Sequence, residues 1–263
     1  MTATHDLQIG LVQMRCPKGD IEGNLEQIQQ YLFEGASRGV DTMCFPEMSI
    51  TGYINPSRQP ESVLSLDSPA IARFIAMTRA YRVTAIAGLV EANPDGKPFI
   101  TQIAAHGGKL LGVYRKVTIP EDEAPWFAAG RTAPLFAHPS IRFGIALCYD
   151  ISNPALFAEY ARRGARIVFE AAAPGLYGSQ ETRDWHAGFD WWRNACHARF
   201  REYARENHVA IAVATQAGRT EDEDFPGGGY LFAPDGSCIA ESPDWSEGVL
   251  YTTLNAVPPD DEQ

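Results

Sequence analysis

The sequence predicts an α/β fold with mixed sheets. Over the first half, short apolar runs closed by Pro or Gly alternate with segments whose apolar residues recur every three or four positions. Two neighbouring runs are joined by His106-Gly107-Gly108, a hairpin-like turn signal, so antiparallel pairs sit among crossover-connected strands. Past residue 215, helical spacing gives way to short strands and turns.

Leu7 to Met14 reads as the first strand, ended by Pro17 and Gly19. Asn24 precedes Leu25, Ile28, Leu32 and Ala36, with Gly39 beyond them, which predicts an amphipathic helix with cap and stop. A brief run from Thr42 to Phe45 ends at Pro46. Ser68 and Pro69 then supply an N-cap and first-turn proline for a helix carrying Ile71, Phe74, Ile75 and Thr78. Further strands are expected at Val83–Val90, Ile100–Ala105, Lys109–Tyr114 and Ile141–Leu147. Asn153 and Pro154 open a helix closed by Gly164, and Arg166 to Phe169 follows as a strand. The longest helix is expected over Asp190–His208, feeding a strand at Val209–Ala214. Short strands at Gly227–Phe232, Cys238–Ala240 and Gly248–Leu254 complete the order. The acidic run Glu221 to Asp224 reads as a solvated loop, and the tail after Val257 as loose.

The 263 residues suit one domain, 1–263, with a core of about 7–254. At 45% apolar and 21% charged residues, the chain can bury a sizeable core. The net charge of −11 comes without any basic block, which excludes a nucleic-acid partner. No apolar run approaches the ~20 residues of a membrane helix. Met1–Asp6 is polar, with neither a basic start nor an apolar stretch, and is not expected to act as a secretion signal. A soluble, cytoplasmic protein away from membranes is expected. Five scattered cysteines, an odd number, argue against a disulfide framework.

Three polar residues close apolar runs: Glu47 after Cys-Phe-Pro, Lys116 after Leu-Gly-Val-Tyr-Arg, and Cys148 after Gly-Ile-Ala-Leu. Strand ends of layered α/β folds commonly hold sites. Cys148 lies between a strand and a helix, where amides and dipole can lower a thiol pKa and later hold negative charge. A cysteine attacking an acyl carbon needs a proton acceptor, and none of the six histidines has a comparable setting. A desolvated Glu47 can take that role, with Lys116 offsetting its charge and donating to an oxyanion. Such chemistry asks for a Glu47 pKa above that of a solvated glutamate and a Cys148 pKa below that of a free thiol. The competing readings are a structural cysteine and a structural ion pair at a sheet rim.

Taken together, Phe45-Pro46-Glu47-Met48 with Thr51-Gly52-Tyr53, Tyr114-Arg115-Lys116-Val117 and Leu147-Cys148-Tyr149-Asp150 resemble, in order, the signatures of the nitrilase superfamily, the carbon-nitrogen hydrolases. Gln13, Asn24, Phe127 to Gly130, Glu206-Asn207 and Pro234-Asp235-Gly236 extend the resemblance from Leu7 to about Leu254. It implies a four-layer α-β-β-α sandwich with two mixed sheets, and commonly homodimers. It also implies Cys148 as nucleophile, Glu47 as general base and then acid, Lys116 as stabiliser of the tetrahedral intermediate, and the Tyr149 amide in the oxyanion hole. Glu123, four residues before Phe127, matches a second glutamate of the family better than Glu121 does. Loops around Tyr53, Glu123, Ala172 to Gly178 and Trp191 are expected to shape the pocket.

The implied substrate is a small non-peptide amide, with an N-carbamoyl amine or amino acid as the alternative. A catalytically idle scaffold is the reading from a different class. No cofactor is required. Three departures from the usual pattern concern recognition: Ser152 stands where an arginine is frequent, Glu170–Ala173 replaces a Val-Pro-Ala-Ala-like stretch, and Ala195-Cys196 stands where a His-Trp pair is frequent. With Glu170 near the site, an anionic substrate group is not expected as the main handle. Trp191-Trp192 reads as pocket edge or subunit interface. Metal binding is not expected, because CysxxCys and HisGluxxHis are absent and Cys196 and His197 diverge as helix neighbours. Gly227 to Gly229 lacks both the dinucleotide fingerprint and a phosphate-loop lysine.

Overall fold

The computed structural model describes residues 6–138 and 141–255. Its first half runs β1 (Leu7–Gln13), α1 (Ile21–Ser37), β2 (Thr42–Cys44), α2 (Pro69–Tyr81), β3 (Thr84–Glu91), β4 (Phe99–His106) and β5 (Lys109–Arg115). The second half begins with β6 (Phe136–His138), β7 (Ile141–Leu147), α3 (Pro154–Arg162), β8 (Ile167–Ala172) and α4 (Trp185–Asn207). It ends with β9 (Ala210–Thr215), β10 (Ala217–Arg219), β11 (Asp224–Pro226), β12 (Gly229–Phe232), β13 (Cys238–Glu241) and β14 (Gly248–Leu254).

Two six-stranded mixed sheets result, ordered β14-β1-β2-β3-β4-β5 and β13-β12-β9-β8-β7-β6. In each, three adjacent strands are parallel, β1-β2-β3 and β7-β8-β9, and antiparallel strands complete the rims. The β4–β5 hairpin turns through Gly107 and Gly108, both with positive φ (+58° and +80°), as a two-residue primed turn demands. β14 returns to the first sheet, pairing with β1 from Leu7↔Leu254 to Gln13↔Gly248.

The helices cover the outer faces. Leu25, Ile28 and Leu32 of α1 and Ile71 and Phe74 of α2 pack with Met43, Ala85, Ala87 and Ile103 of the first sheet. α3 lies against β7: a Cβ at Gly144 would come within 2.6 Å of the Tyr160 ring, whose hydroxyl donates to Ile145 O at 2.7 Å. α4 is anchored by the Trp192 indole N–H on Thr215 Oγ1 at 2.9 Å. Between the sheets, Leu11 and Ile86 meet Phe143, Ile145 and Phe169 in one shared core. The architecture is the expected four-layer α-β-β-α sandwich.

Local departures have local causes. Asp20, not Asn24, caps α1; Asn24 is buried one turn in, donating to Pro17 O and Ile50 O at 3.0 and 3.1 Å. α4 starts at Trp185, capped by Asp184, five residues ahead of the expected Asp190. Its first turn, Trp185-His186-Ala187-Gly188, puts small residues and a histidine where the apolar stripe would show, which hides the period. β6, β10 and β11 have three residues each, too few to show alternation. The acidic run is only partly a solvated loop, since Asp224 is fully buried in β11. The expected loose tail lies outside the described residues. Among the described residues, no helix is long and apolar enough to cross a membrane.

Candidate active site

Beyond β2 the chain turns at Pro46 and brings Glu47 inward with no exposed surface. The turn is clamped onto β3, where Gly88 N donates to Ser49 Oγ at 3.0 Å and Val90 N to Thr51 Oγ1 at 3.2 Å. A Cβ at Gly88 would meet Met48 N at 2.3 Å, so only glycine admits this approach. Lys116 continues β5, its N–H donating to Ile100 O at 2.9 Å and its carbonyl accepting from Gly130 N at 2.7 Å. Its ammonium, also fully enclosed, donates to Glu47 Oε1 at 3.0 Å and Glu123 Oε2 at 2.8 Å. Glu123 sits in a turn whose neighbours Glu121 and Asp122 are exposed. It also accepts from the Tyr53 hydroxyl, and the Tyr53 ring packs against Phe225 of β11, centroids 6.2 Å apart.

Cys148 follows β7 with φ +41°, in the left-handed region that a non-glycine residue adopts only when its surroundings hold it there. A 3₁₀ turn over Cys148–Ser152 then leads to α3. Asp150 braces this turn from inside, accepting from Leu147 N at 2.9 Å, Thr118 N at 3.0 Å and the Tyr114 hydroxyl at 2.6 Å. The result is a half-buried residue whose thiol is tucked in beside Glu47 and the Ala173 backbone.

The charges explain the titration. Two carboxylates share one ammonium. Burial pushes Glu47 up to about 7, against the pull of Lys116. Burial works against the Lys116 charge too, yet Glu47 and Glu123 together hold the ammonium protonated. Burial and the Glu47 charge raise the Cys148 thiol well above its ordinary value, and neither Lys116 nor the Ala173 contact reverses this. The expectation of a depressed thiol pKa is therefore corrected: burial first, and the Glu47 charge second, hold the thiol up. Glu47 Oε2 makes no hydrogen bond of ordinary geometry, although Cys148 lies near enough to favour its ionised form.

Of the residues singled out from sequence, Glu47, Lys116, Glu123 and Tyr53 are joined by direct bonds, with Cys148 adjoining. The Tyr149 side chain is 46% exposed beside the thiol. Ala172 is enclosed in β8, and the backbone of the next residue, Ala173, is what reaches Cys148. Glu170 is fully buried and neither carboxylate oxygen is hydrogen-bonded. Its register partner Ala146 lies on the Gly144 face of β7, against α3, so Glu170 faces the helix layer and not the pocket. It makes no contact with the pocket, although its carboxyl still senses the charges of Asp150, Glu47 and Lys116. The Trp pair divides: Trp192 is core, Trp191 half exposed. Tyr114 and Asp150 belong to the sequence motifs but have no role readable from sequence, and the bond between them shows only in the fold. Among the described residues, one grouping of His, Cys and carboxylate has the spacing to hold a metal ion, and it lies elsewhere, at His197, Cys238 and Glu241.

The carbon-nitrogen hydrolase family model matches residues 8–257. A glutamine-dependent NAD(+) synthetase of Thermotoga maritima is 26% identical over 95% of this chain, which spans only 42% of that protein. A Schizosaccharomyces pombe protein named as a probable nitrilase is 26% identical, with 94% of this chain and 88% of that protein covered. A solved amidase of Nesterenkonia sp. superposes with a TM-score of 0.82 at 22% identity, covering 97% of this chain and 92% of the other. On the match along nearly its whole length, the chain belongs to the carbon-nitrogen hydrolase family, the nitrilase superfamily.

Proposed function

We propose that the protein hydrolyses a small non-peptide amide through a Cys148 thioester. The observation that carries the reading is the buried Lys116 ammonium held between Glu47 and Glu123, next to a cysteine in a strained turn. Near neutral pH Glu47 is poised to exchange protons, since burial places its pKa at about 7. It takes the Cys148 proton as sulfur bonds to the carbonyl carbon, so no free thiolate is needed beforehand. Lys116 and the Tyr149 amide stabilise the resulting oxyanion. Glu47 then gives its proton to the departing nitrogen as the carbon–nitrogen bond breaks, releasing ammonia or an amine. Water attacks the thioester, its proton passing to Glu47 and then to the leaving sulfur. Glu123, oriented by Tyr53, holds Lys116 in place and keeps it charged. Every group the chemistry uses comes from the chain, without metal or cofactor.

An N-carbamoyl amine or amino acid undergoes the same steps, and is the alternative substrate class. The mechanism does not separate the two. The proposal includes a homodimer working in the cytoplasm. Its test is ammonia release from a panel of aliphatic amides, N-carbamoyl compounds and nitriles, alongside Cys148→Ala. Turnover lost in that variant, with an acyl adduct on Cys148 in the intact mass, is the expected result. A folded protein silent across the panel, with Cys148 no more reactive than Cys238, would instead support an idle scaffold.

A further inference from the structure

α4 and the outermost strand of the second sheet meet far from Cys148, since β12, β9 and β8 lie between β13 and β7. Cys238 and Glu241, three residues apart, would point to opposite faces of a regular strand. They do not here, because β13 is bulged against β12. Phe232 pairs with Cys238, Leu231 with Ala240 and Tyr230 with Glu241, leaving Ile239 as the extra residue, half exposed. Cys238 and Glu241 thus share the face of Tyr230 and Phe232, two aromatic rings that both pack edge-on against His197 of α4, with centroids 6.0 and 5.3 Å away.

Three donors of different chemistry converge there. His197 Nε2 is 2.9 Å from Glu241 Oε2, Cys238 Sγ is 4.0 Å from the same oxygen, and all three lie within 4.8 Å of one another. Arg193, one turn before His197, donates to the other oxygen, Oε1, at 2.9 Å and so orients the carboxylate. A tetrahedral ion with bonds of ~2.0–2.3 Å asks for N···O of about 3.3 Å and S···O of about 3.6 Å. The first distance must open and the second close by a few tenths of an ångström, with a rotation of Cys238 bringing sulfur toward the imidazole.

We infer that His197, Cys238 and Glu241 form a binding site for a divalent transition metal ion of zinc type, which staples α4 to β13. Imidazole nitrogen, thiolate and carboxylate are the donors Zn²⁺ selects, and their two negative charges balance its two positive ones. The thiol releases its proton to solvent on binding. A cleft of about 460 Å³, lined in part by His197, Arg201, Gly236 and Ser237, adjoins the site and admits water as fourth ligand. Without metal the Cys238 thiol donates to Ala240 O at 3.4 Å, a weak bond that binding would exchange for the ion. A bare His–Glu–Arg ion pair would not need the bulge that brings this sulfur to the carboxylate. The role is structural, because the site lies three strands away from the reacting cysteine.

The test uses the whole chain, stripped with chelator and titrated with Co²⁺, then Zn²⁺. One equivalent of Co²⁺ should produce a sulfur-to-cobalt charge-transfer band that Zn²⁺ bleaches, and Zn²⁺ should raise the unfolding temperature. The band should survive Cys148→Ser, disappear in Cys238→Ser, and be lost or weakened in His197→Asn. Loss of a direct ligand should weaken binding by more than about a hundredfold, and Arg193→Gln by about tenfold. Metal-free Cys238→Ser, near isosteric, should melt with the metal-free parent. No band in the parent, a band retained in Cys238→Ser, or one lost only in Cys148→Ser overturns the inference.

Discussion

Two buried carboxyls, Asp150 with three donors and Glu170 with none, make opposite demands on the fold. Asp150 is the internal brace of the Cys148 turn, and Asp150→Ala would leave two backbone amides and the Tyr114 hydroxyl without their acceptor. The expected cost is about 3 kcal/mol, read by urea unfolding, with slower alkylation of Cys148 in the fraction still folded. Glu170 has no bond to protect it, and burial raises its carboxyl well above the ordinary range. A carboxyl raised in the folded state favours folding fully below its unfolded pKa, and that contribution is lost as pH rises through the folded value. Glu170→Gln should therefore leave stability little changed below the ordinary carboxyl value of about 4.5 and gain on the parent as pH rises from there toward the folded value, measured as unfolding midpoints across pH. A parent curve parallel to that of the variant would contradict this. At this scale the sequence was informative where side-chain chemistry met a strand end, as at Glu47, Lys116 and Cys148. It said little about Glu170, because the face a strand residue takes depends on which helix covers it. The sign of the thiol shift was also out of reach, since it rests first on how deeply the sulfur is buried and then on the Glu47 charge beside it.

Element boundaries were legible wherever an apolar period coincided with a cap, as in α2 with Ser68 and Pro69. They were illegible where tertiary bonds took over, as in β10–β11. There the buried Asp224 accepts from Arg183 Nε at 2.8 Å and Arg219 Nε at 2.8 Å, and Arg183 in turn donates to the carbonyls of Leu176, Tyr177 and Gly178. One carboxylate thereby ties the loop after β8, next to Ala173, to the strand whose Phe225 supports Tyr53. Burial opposes the Asp224 charge, but Arg219 and Arg183 outweigh it and lower its pKa. Its contribution to stability is thus present above the unfolded carboxyl pKa and fades as pH falls through the folded one. Asp224→Ala should cost about 3–5 kcal/mol because it strands the nearly enclosed Arg183. Limited proteolysis should then cut within residues 176–183. A cut pattern unchanged from the parent would show that the loop is held by something else. The β13 bulge belongs with these unseen features: nothing in Cys-Ile-Ala-Glu announces an extra residue.

For the whole molecule, the alternation of strands and helices and the Gly107-Gly108 turn announced mixed sheets. Their stacking into a sandwich came through the resemblance alone. What composition does not reveal is that β14, the last strand, closes the first sheet by pairing with β1 over seven residues. Because one core joins Leu7, Ile9 and Leu11 of β1 to Phe143, Phe169 and Phe232 of the second sheet, the two halves should not unfold separately. Thermal and urea unfolding followed by circular dichroism and tryptophan fluorescence should give one coincident transition, and two resolved steps would divide the chain into two units.

The central claim, that Glu47 serves Cys148 as its base, is tested most directly by alkylation of the protein with iodoacetamide across pH, followed by intact mass and peptide mapping. Cys148 should react ahead of Cys16, Cys44, Cys196 and Cys238, at a rate that climbs with pH around a midpoint of about 7, where Glu47 gives up its proton. In Glu47→Gln the rate should drop by about 10²-fold and lose that midpoint. A Cys148 that labels no faster than Cys238, or a pH profile that Glu47→Gln leaves in place, would contradict the account.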